Sequence, residues 1–204
     1  MEDVRIIPIL SPRLLLHAYM QGVFPMSPDK SSVNPDETEW YLPKVRGILP
    51  MDGFRLSKNS DRLRRNKIPH SIRYNSDFRG VLAGCASRAE TWISPVIIAS
   101  YVNLHRLGYA HSVEVYNEAE ELVGGLYGVT LGTAFFGESM FHHQPEADKF
   151  ALFYCHQRLK ERGFTLWDTQ FYTDHLGTLG AIAIPNADYQ DLLKQALAGQ
   201  ARFG

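Results

Sequence analysis

Three runs decide the fold: HSVEVY at residues 111–116, ELVGGLYGVT at 121–130 and TAFFGES at 133–139. Each concentrates β-branched and aromatic side chains over the length of a strand, and polar or glycine-bearing turns separate them. They predict three meandering strands. Downstream, the spacing predicts a helix from about Pro145 to Arg162 with Gly163 as its stop, then a short strand at Thr165–Thr169. A helical turn at His175–Leu179, a strand at Ala181–Ile184 and a last helix at Ala187–Leu197 complete that half. Upstream, Ser94 followed by Pro95 marks the start of an amphipathic helix that runs to Leu107 before Gly108. Asp77–Ala86 reads as a helix capped by Ser76, Ser57–Lys67 as another ended by Pro69, and His70–Tyr74 as a strand. Strands in a row, a helix, then another strand describe an α+β domain.

The opening third is different in kind. Pro8, Pro12, Pro25, Pro28, Pro35, Pro43 and Pro50 leave room for one helix, from a Ser11 cap to about Gln21 with Gly22 as its stop. Asp29–Glu39 is polar and reads as a loop. The change in texture places a small N-terminal domain at 1–57 and a larger domain at 58–204. With 204 residues, 45% of them hydrophobic, the chain can bury a core, which excludes wholesale disorder. No apolar run reaches the roughly 18 residues of a membrane helix. Met1-Glu2-Asp3 does not open a signal peptide. Cys85 and Cys155 make neither a disulfide framework nor a metal set. A cytoplasmic monomer with no membrane contact, no metal and no cofactor is the expectation.

The net charge of −1 conceals a division. Between Lys44 and Arg79 ten basic residues face three aspartates, a surplus of seven, while the rest of the chain has eleven basic against nineteen acidic. Lys58, Arg62, Arg64, Arg65 and Lys67 crowd one predicted helix, where like charges one turn apart repel. Such a cluster is either a solvated face or a contact for phosphates, which gains affinity by releasing counterions.

Five other features bear on chemistry. Gly124, Gly125 and Gly128 interrupt a strand, where glycine marks a bulge or a close approach by ligand or backbone. Glu138 is a single carboxylate in the apolar run FFGESMF, so it has partners or faces a pocket. Ser139 beside it lacks the GxSxG elbow of a serine hydrolase. His142, His143 and Glu146 fit no metal-ligand spacing and read as surface residues. Asp168 and Gln170 sit two apart on a strand and so share a face, either as a satisfied polar pair or as a positioned carboxylate and amide. Trp92, Tyr101 and Tyr127 suit either a core or a wet pocket.

The segments AYMQGVFP (18–25), TWI (91–93), LHRLGYAHSVEV (104–115), LVGGLYGV (122–129), FGESMF (136–141), DTQ (168–170) and HLGTLGA (175–181) resemble, in order, the leucyl/phenylalanyl-tRNA–protein transferase family. The resemblance implies a small N-terminal domain beside a GCN5-related acetyltransferase-like domain. It implies transfer of Leu, Phe or Met from aminoacyl-tRNA to the N-terminal Arg or Lys of proteins or peptides, in the N-degron pathway. It places Trp92, Tyr101 and Glu138 at the catalytic centre, and Asp168 and Gln170 as the pair that helps deprotonate the attacking α-amine. Leu126, Tyr127 and Phe135 fall on the apolar aminoacyl pocket, Ser139 among the substrate-binding residues, and Trp40 or Tyr41 near the adenosine site. The basic cluster falls on the tRNA-binding flank. Met26 stands where the family commonly has Trp, Tyr41 in a usual Trp pair, and Cys155 in place of a usual Phe, with Met26 and Cys155 expected around the pocket. The alternatives are a catalytically silent tRNA- or peptide-binding protein on the same scaffold and a coenzyme-A-dependent N-acyltransferase. The latter usually carries a glycine-bearing pyrophosphate loop at a helix N-terminus, which the middle of this chain lacks.

Overall fold

The computed structural model describes residues 7–66 and 68–204, so Lys67 of the expected basic cluster lies outside the described residues. In chain order the first elements are α1 (Pro12–Met20), β1 (Phe24–Met26), β2 (Glu39–Tyr41), β3 (Val45–Ile48), α2 (Lys58–Asn66) and β4 (Ser71–Tyr74). Then come α3 (Phe78–Ala86), α4 (Pro95–Arg106), β5 (Ala110–Tyr116), β6 (Leu122–Leu131) and β7 (Ala134–His142). The last are α5 (Ala147–Glu161), β8 (Leu166–Gln170), α6 (Asp174–Thr178), β9 (Ile182–Pro185) and α7 (Asn186–Ala198). The fold is α+β. A seven-stranded mixed sheet runs β4-β5-β6-β7-β8-β3-β9, and β1 and β2 form a small antiparallel sheet of their own. Within the large sheet only β7 and β8 are parallel. None of the described helices is long and apolar enough to cross a membrane.

Local chemistry explains most boundaries. The Ser94 hydroxyl accepts from the Ile97 N–H and Pro95 pre-sets the first turn of α4. On α3 the cap is Asp77, not Ser76: its carboxylate accepts from the Gly80 N–H at 2.8 Å, because the first helical residue is Phe78. The alternation of β6 and β7 splits the core in two. Leu126 and Phe135 join Phe150, Leu152 and Cys155 of α5 on one face. Tyr127 and Phe136 join Tyr19 of α1, Val81 of α3, Ile97 of α4 and Tyr189 of α7 on the other. Gly124 and Gly125 turn out to be packing devices. A Cβ at Gly124 would meet Ala147 of α5 at 2.5 Å, and one at Gly125 would meet the Val113 carbonyl at 2.7 Å and Val81 at 3.0 Å, so both sheet faces need bare backbone there.

The strand at Val45–Ile48 has no counterpart in the sequence reading. It lies on the N-terminal side of the 57/58 division, yet it is inserted in the large sheet between β8 and β9. Two residues hold it there. Gly47 lets it close in, since a Cβ would stand 2.5–2.6 Å from the backbone of Phe171 and Tyr172. Arg46, counted above as part of a basic flank, is fully buried. Its Nε donates to Asp168 Oδ1 at 2.9 Å, Nη2 to Oδ2 at 2.5 Å and Nη1 to the Gly22 carbonyl at 2.7 Å. The guanidinium also sits over the rings of Phe24, at 4.8 Å, and Tyr189, at 4.5 Å.

Removing one partner of a buried pair strands the other charge. Arg46→Met is expected to cost about 3–5 kcal/mol in urea unfolding, and Arg46→Met/Asp168→Asn to recover more than half of it. A single-variant loss below about 1 kcal/mol would show that the pair does not hold β3.

Candidate active site

Parallel pairing of β7 with β8 lasts only from Ala134 opposite Leu166 to Phe136 opposite Asp168. Beyond that the strands part, and a cavity of about 330 Å³ opens with Gly137–Met140 on one side and Thr169–Phe171 on the other. Hydrogen bonding between β7 and β8 fails there, so backbone and side chains along the middle of β7 and at the carboxyl end of β8 become available to a ligand. A second irregularity aims the chemistry. Tyr127 pairs with Ser139 and Gly128 with Gly137, so Glu138 is an extra residue in β7, a bulge at the cavity wall.

Glu138 is the hub of the polar groups. Tyr19 donates to Oε1 at 2.7 Å, the Tyr101 hydroxyl stands 3.2 Å from Oε2 and the Gln170 amide donates to Oε1 at 3.2 Å. The hydroxyls of Tyr19 and Tyr101 also share a short hydrogen bond. Burial pushes the Glu138 carboxyl up to about 8, aided by the Asp168 charge and opposed by its hydrogen bonds with Tyr19 and Tyr101 and by Arg46. Burial likewise holds both phenols in the protonated form, well above their usual range.

Asp168 and Gln170 do meet, but through different atoms from those the alternation suggests. Gln170 ends β8 in the left-handed region, at φ 58°, and its backbone N–H donates to Asp168 Oδ1 at 2.7 Å. With Arg46 on both oxygens and Tyr189 donating to Oδ2 at 2.6 Å, the Asp168 carboxylate is fully engaged and fully buried. It supports a strained turn from behind the site. The side-chain amide is turned away to Glu138, which leaves its oxygen without a protein partner among the described residues.

Trp92, Leu126, Tyr127, Glu138, Ser139 and Gln170 all line the cavity, as does Met26. Tyr101 stands behind Glu138 rather than in the lining. Phe135 lies outside it too, fully buried with its ring edge-on to Trp167 at 5.7 Å and stacked on Phe203 at 5.9 Å. Cys155 is buried in the α5 core and does not reach the pocket, because Leu152 and Trp167 form that wall. Trp40 and Tyr41 sit on β2, Trp40 exposed and Tyr41 6.1 Å from the Phe24 ring, and neither lines the cavity.

The basic cluster is less free than its sequence suggests. Lys58 and Arg62 are exposed, Arg62 donating to Asn59 at 3.0 Å. Arg64 and Arg65 both pair with Asp61, and the Arg64 guanidinium lies 3.9 Å from the Phe153 ring. Of the imidazoles, His142 faces Asp148 at 3.2 Å while Glu146 pairs with Lys149 at 2.7 Å. The residues missed in the sequence are Tyr19, Arg46, Tyr189 and Arg88. Only Tyr19 carried a signal, its place in AYMQGVFP.

The raised Glu138 pKa has a signed consequence for stability. Between the ordinary value of 4.5 and about 8 the folded protein holds a proton that the unfolded chain releases, so stability falls as pH rises through that window. Thermal melts from about pH 5 to about pH 9 are expected to show wild type losing ground to Glu138→Gln as pH increases. Parallel profiles would mean that the carboxyl titrates normally.

Comparison with known proteins adds an independent line. The family described as leucyl/phenylalanyl-tRNA protein transferase matches residues 48–194, and the N-terminal domain described for it matches residues 9–44. A leucyl/phenylalanyl-tRNA–protein transferase of Cereibacter sphaeroides is 52% identical over 196 residues, 96% of this chain and 89% of that protein. Its counterpart in Ruegeria pomeroyi is 51% identical over 195 residues, 95% and 90% of the two chains. The solved structure of L-PGS from Bacillus licheniformis covers 78% of this chain and 58% of that chain at a TM-score of 0.42 and 16% identity, a likeness too slight to bear weight. On the family match and the identity over nearly its whole length, this chain belongs to the leucyl/phenylalanyl-tRNA–protein transferase family.

Proposed function

We propose that the protein transfers Leu, Phe or Met from aminoacyl-tRNA to the N-terminal Arg or Lys of a protein, a mark for N-degron degradation in the cytoplasm. The observation that carries this reading is a cavity whose apolar wall ends on the Glu138–Gln170 pair. Leu126, Met140, Leu152 and Trp167 offer the side chain of Leu, Phe or Met a dry seat. Met26 and Trp92 border the same cavity on the side suited to the donor's terminal nucleoside, with Trp40 and Tyr41 on the adjoining small sheet. The exposed Lys58 and Arg62, with Arg64 and Arg65, supply phosphate contacts along α2. The catalytic unit is taken as a GCN5-related acetyltransferase-like domain, in keeping with the splayed β7 and β8. We place its start at β3, after about residue 44, because a cut at 57/58 separates Arg46 from Asp168.

The reaction is aminolysis of an ester. The α-amine forms a bond to the acyl carbon, the bond from that carbon to the ribose oxygen breaks, and one proton passes from the amine to the leaving oxygen. An α-ammonium titrates near 8. Glu138, held at about 8, matches it, so a proton passes between them at little cost. The Gln170 amide is fixed by its donor side, and its oxygen is the acceptor that aligns the amine. Asp168 acts through Gln170 by holding the left-handed turn.

Wild type incubated with charged Leu-, Phe- and Met-tRNA and a peptide beginning with Arg or Lys is expected to transfer the amino acid. Gln170→Ala is expected to lower that rate by about a hundredfold or more. Near-wild-type rates in both Gln170→Ala and Gln170→Glu would remove the amide from the mechanism. tRNA binding without any transfer in wild type would instead favour a silent binder. The slope of log affinity against log salt should become shallower by about 1–2 in Lys58→Ala/Arg62→Ala. An unchanged slope would take α2 out of the tRNA contact.

A further inference from the structure

Among the described residues, one Lys or Arg side chain and one Asp or Glu side chain line the reaction cavity: Arg88 and Glu138. Arg88 stands two residues beyond the end of α3, is exposed, and belongs to neither the α2 cluster nor the Arg46–Asp168 pair. Its guanidinium is steadied by two neutral acceptors. Nε donates to the Cys85 carbonyl at 3.3 Å and Nη2 to Ser139 Oγ at 3.0 Å. No carboxylate of the described residues forms an ion pair with it. Of its five N–H groups, both on Nη1 and one on Nη2 therefore have no acceptor in the protein.

The bulge explains why the two groups share one opening. In a regular strand Glu138 and Ser139 would face opposite sides of the sheet. Here Glu138 meets Tyr19 and Tyr101 from α1 and α4, while Ser139 meets Arg88 just past α3, and all of these lie on one side. The cavity thus has the Glu138 carboxyl group within and a pre-positioned guanidinium at its rim. The fixed positive charge at the rim is the one an anionic donor meets.

We propose that Arg88 binds the phosphodiester that joins the 3′-terminal nucleotide of the donor to the nucleotide before it. The inference rests on the transferase reading given above. With the acyl side chain among Leu126, Met140 and Leu152 and the ester at Glu138 and Gln170, the ribose leaves through the rim. The first negative charge along that exit is this phosphodiester. A guanidinium with a free face grips two phosphate oxygens at once, which a lysine cannot do. Ser139 is then a positioning residue that sets the guanidinium, and not a nucleophile.

The test uses two donors with the same acyl group: the phenylalanyl ester of adenosine, which has no phosphate, and the phenylalanyl ester of the dinucleotide cytidylyl-adenosine, which has one. For Arg88→Met the expected result is a fall in kcat/KM of about ten- to hundredfold with the dinucleotide donor, carried by KM, and less than about twofold with the adenosine donor. Arg88→Lys should restore part of the dinucleotide rate. An equal fall with both donors would make Arg88 a scaffold residue and overturn the proposal, as would no fall with either. Wild type inactive on both donors and on charged tRNA would overturn the transferase reading itself, and this inference with it.

Discussion

A guanidinium and a carboxylate that no water reaches tie four segments of the chain together. Arg46 comes from β3, Asp168 from β8, the Gly22 carbonyl from the turn after α1, and the Tyr189 hydroxyl from α7. Two charges withdrawn from water are costly, and attraction between them offsets the cost only where the remaining donors and acceptors are also met. Here they are: Tyr189 and the Gln170 N–H complete the carboxylate, while Gly22 and two aromatic faces complete the guanidinium. The consequence runs outward to the cavity. The carboxylate holds Gln170 in a left-handed turn, the turn presents the amide, and the amide meets Glu138. A structural ion pair thus fixes the geometry of groups that it never touches through their reactive atoms.

Much of the fold was legible because its signals are local. The meander of β5, β6 and β7 announces itself by composition and turn residues, and α4 by Ser94-Pro95 at one end and Gly108 after the other. What stayed hidden depends on partners remote in the chain. VRGI at 45–48, flanked by Pro43 and Pro50, shows no period long enough to read, and its strand character comes from β8 and β9. The bulge at Glu138 is invisible for the same reason, since register belongs to a pair of strands and not to one.

The site was legible as a list of residue types and less so as an arrangement. Glu138 drew attention because one carboxylate in an apolar run needs an explanation. Phe135 is apolar, near it in sequence and outside the cavity, since it is buried behind Trp167 and stacked on Phe203. Charge misleads in the same way. Arg46 adds to a basic stretch on paper and contributes no exposed charge, and the helix that looked most basic carries its own aspartate, paired with two of its arginines. Opposite cases also occur, as with Arg88, a lone cation outside any cluster.

The place of β3 in the sheet has a bearing on how the molecule is made. Arg46 and Asp168 are 122 residues apart, so the strand synthesised early cannot be seated until β8 and β9 have left the ribosome. Contacts of such separation close slowly, because chain entropy is lost before the pairing rewards it. A nascent chain stopped anywhere before β8 therefore lacks the central support of its cavity, and it carries an unpaired arginine where the sheet should close. Assembly of the sheet and completion of the active centre are the same late event.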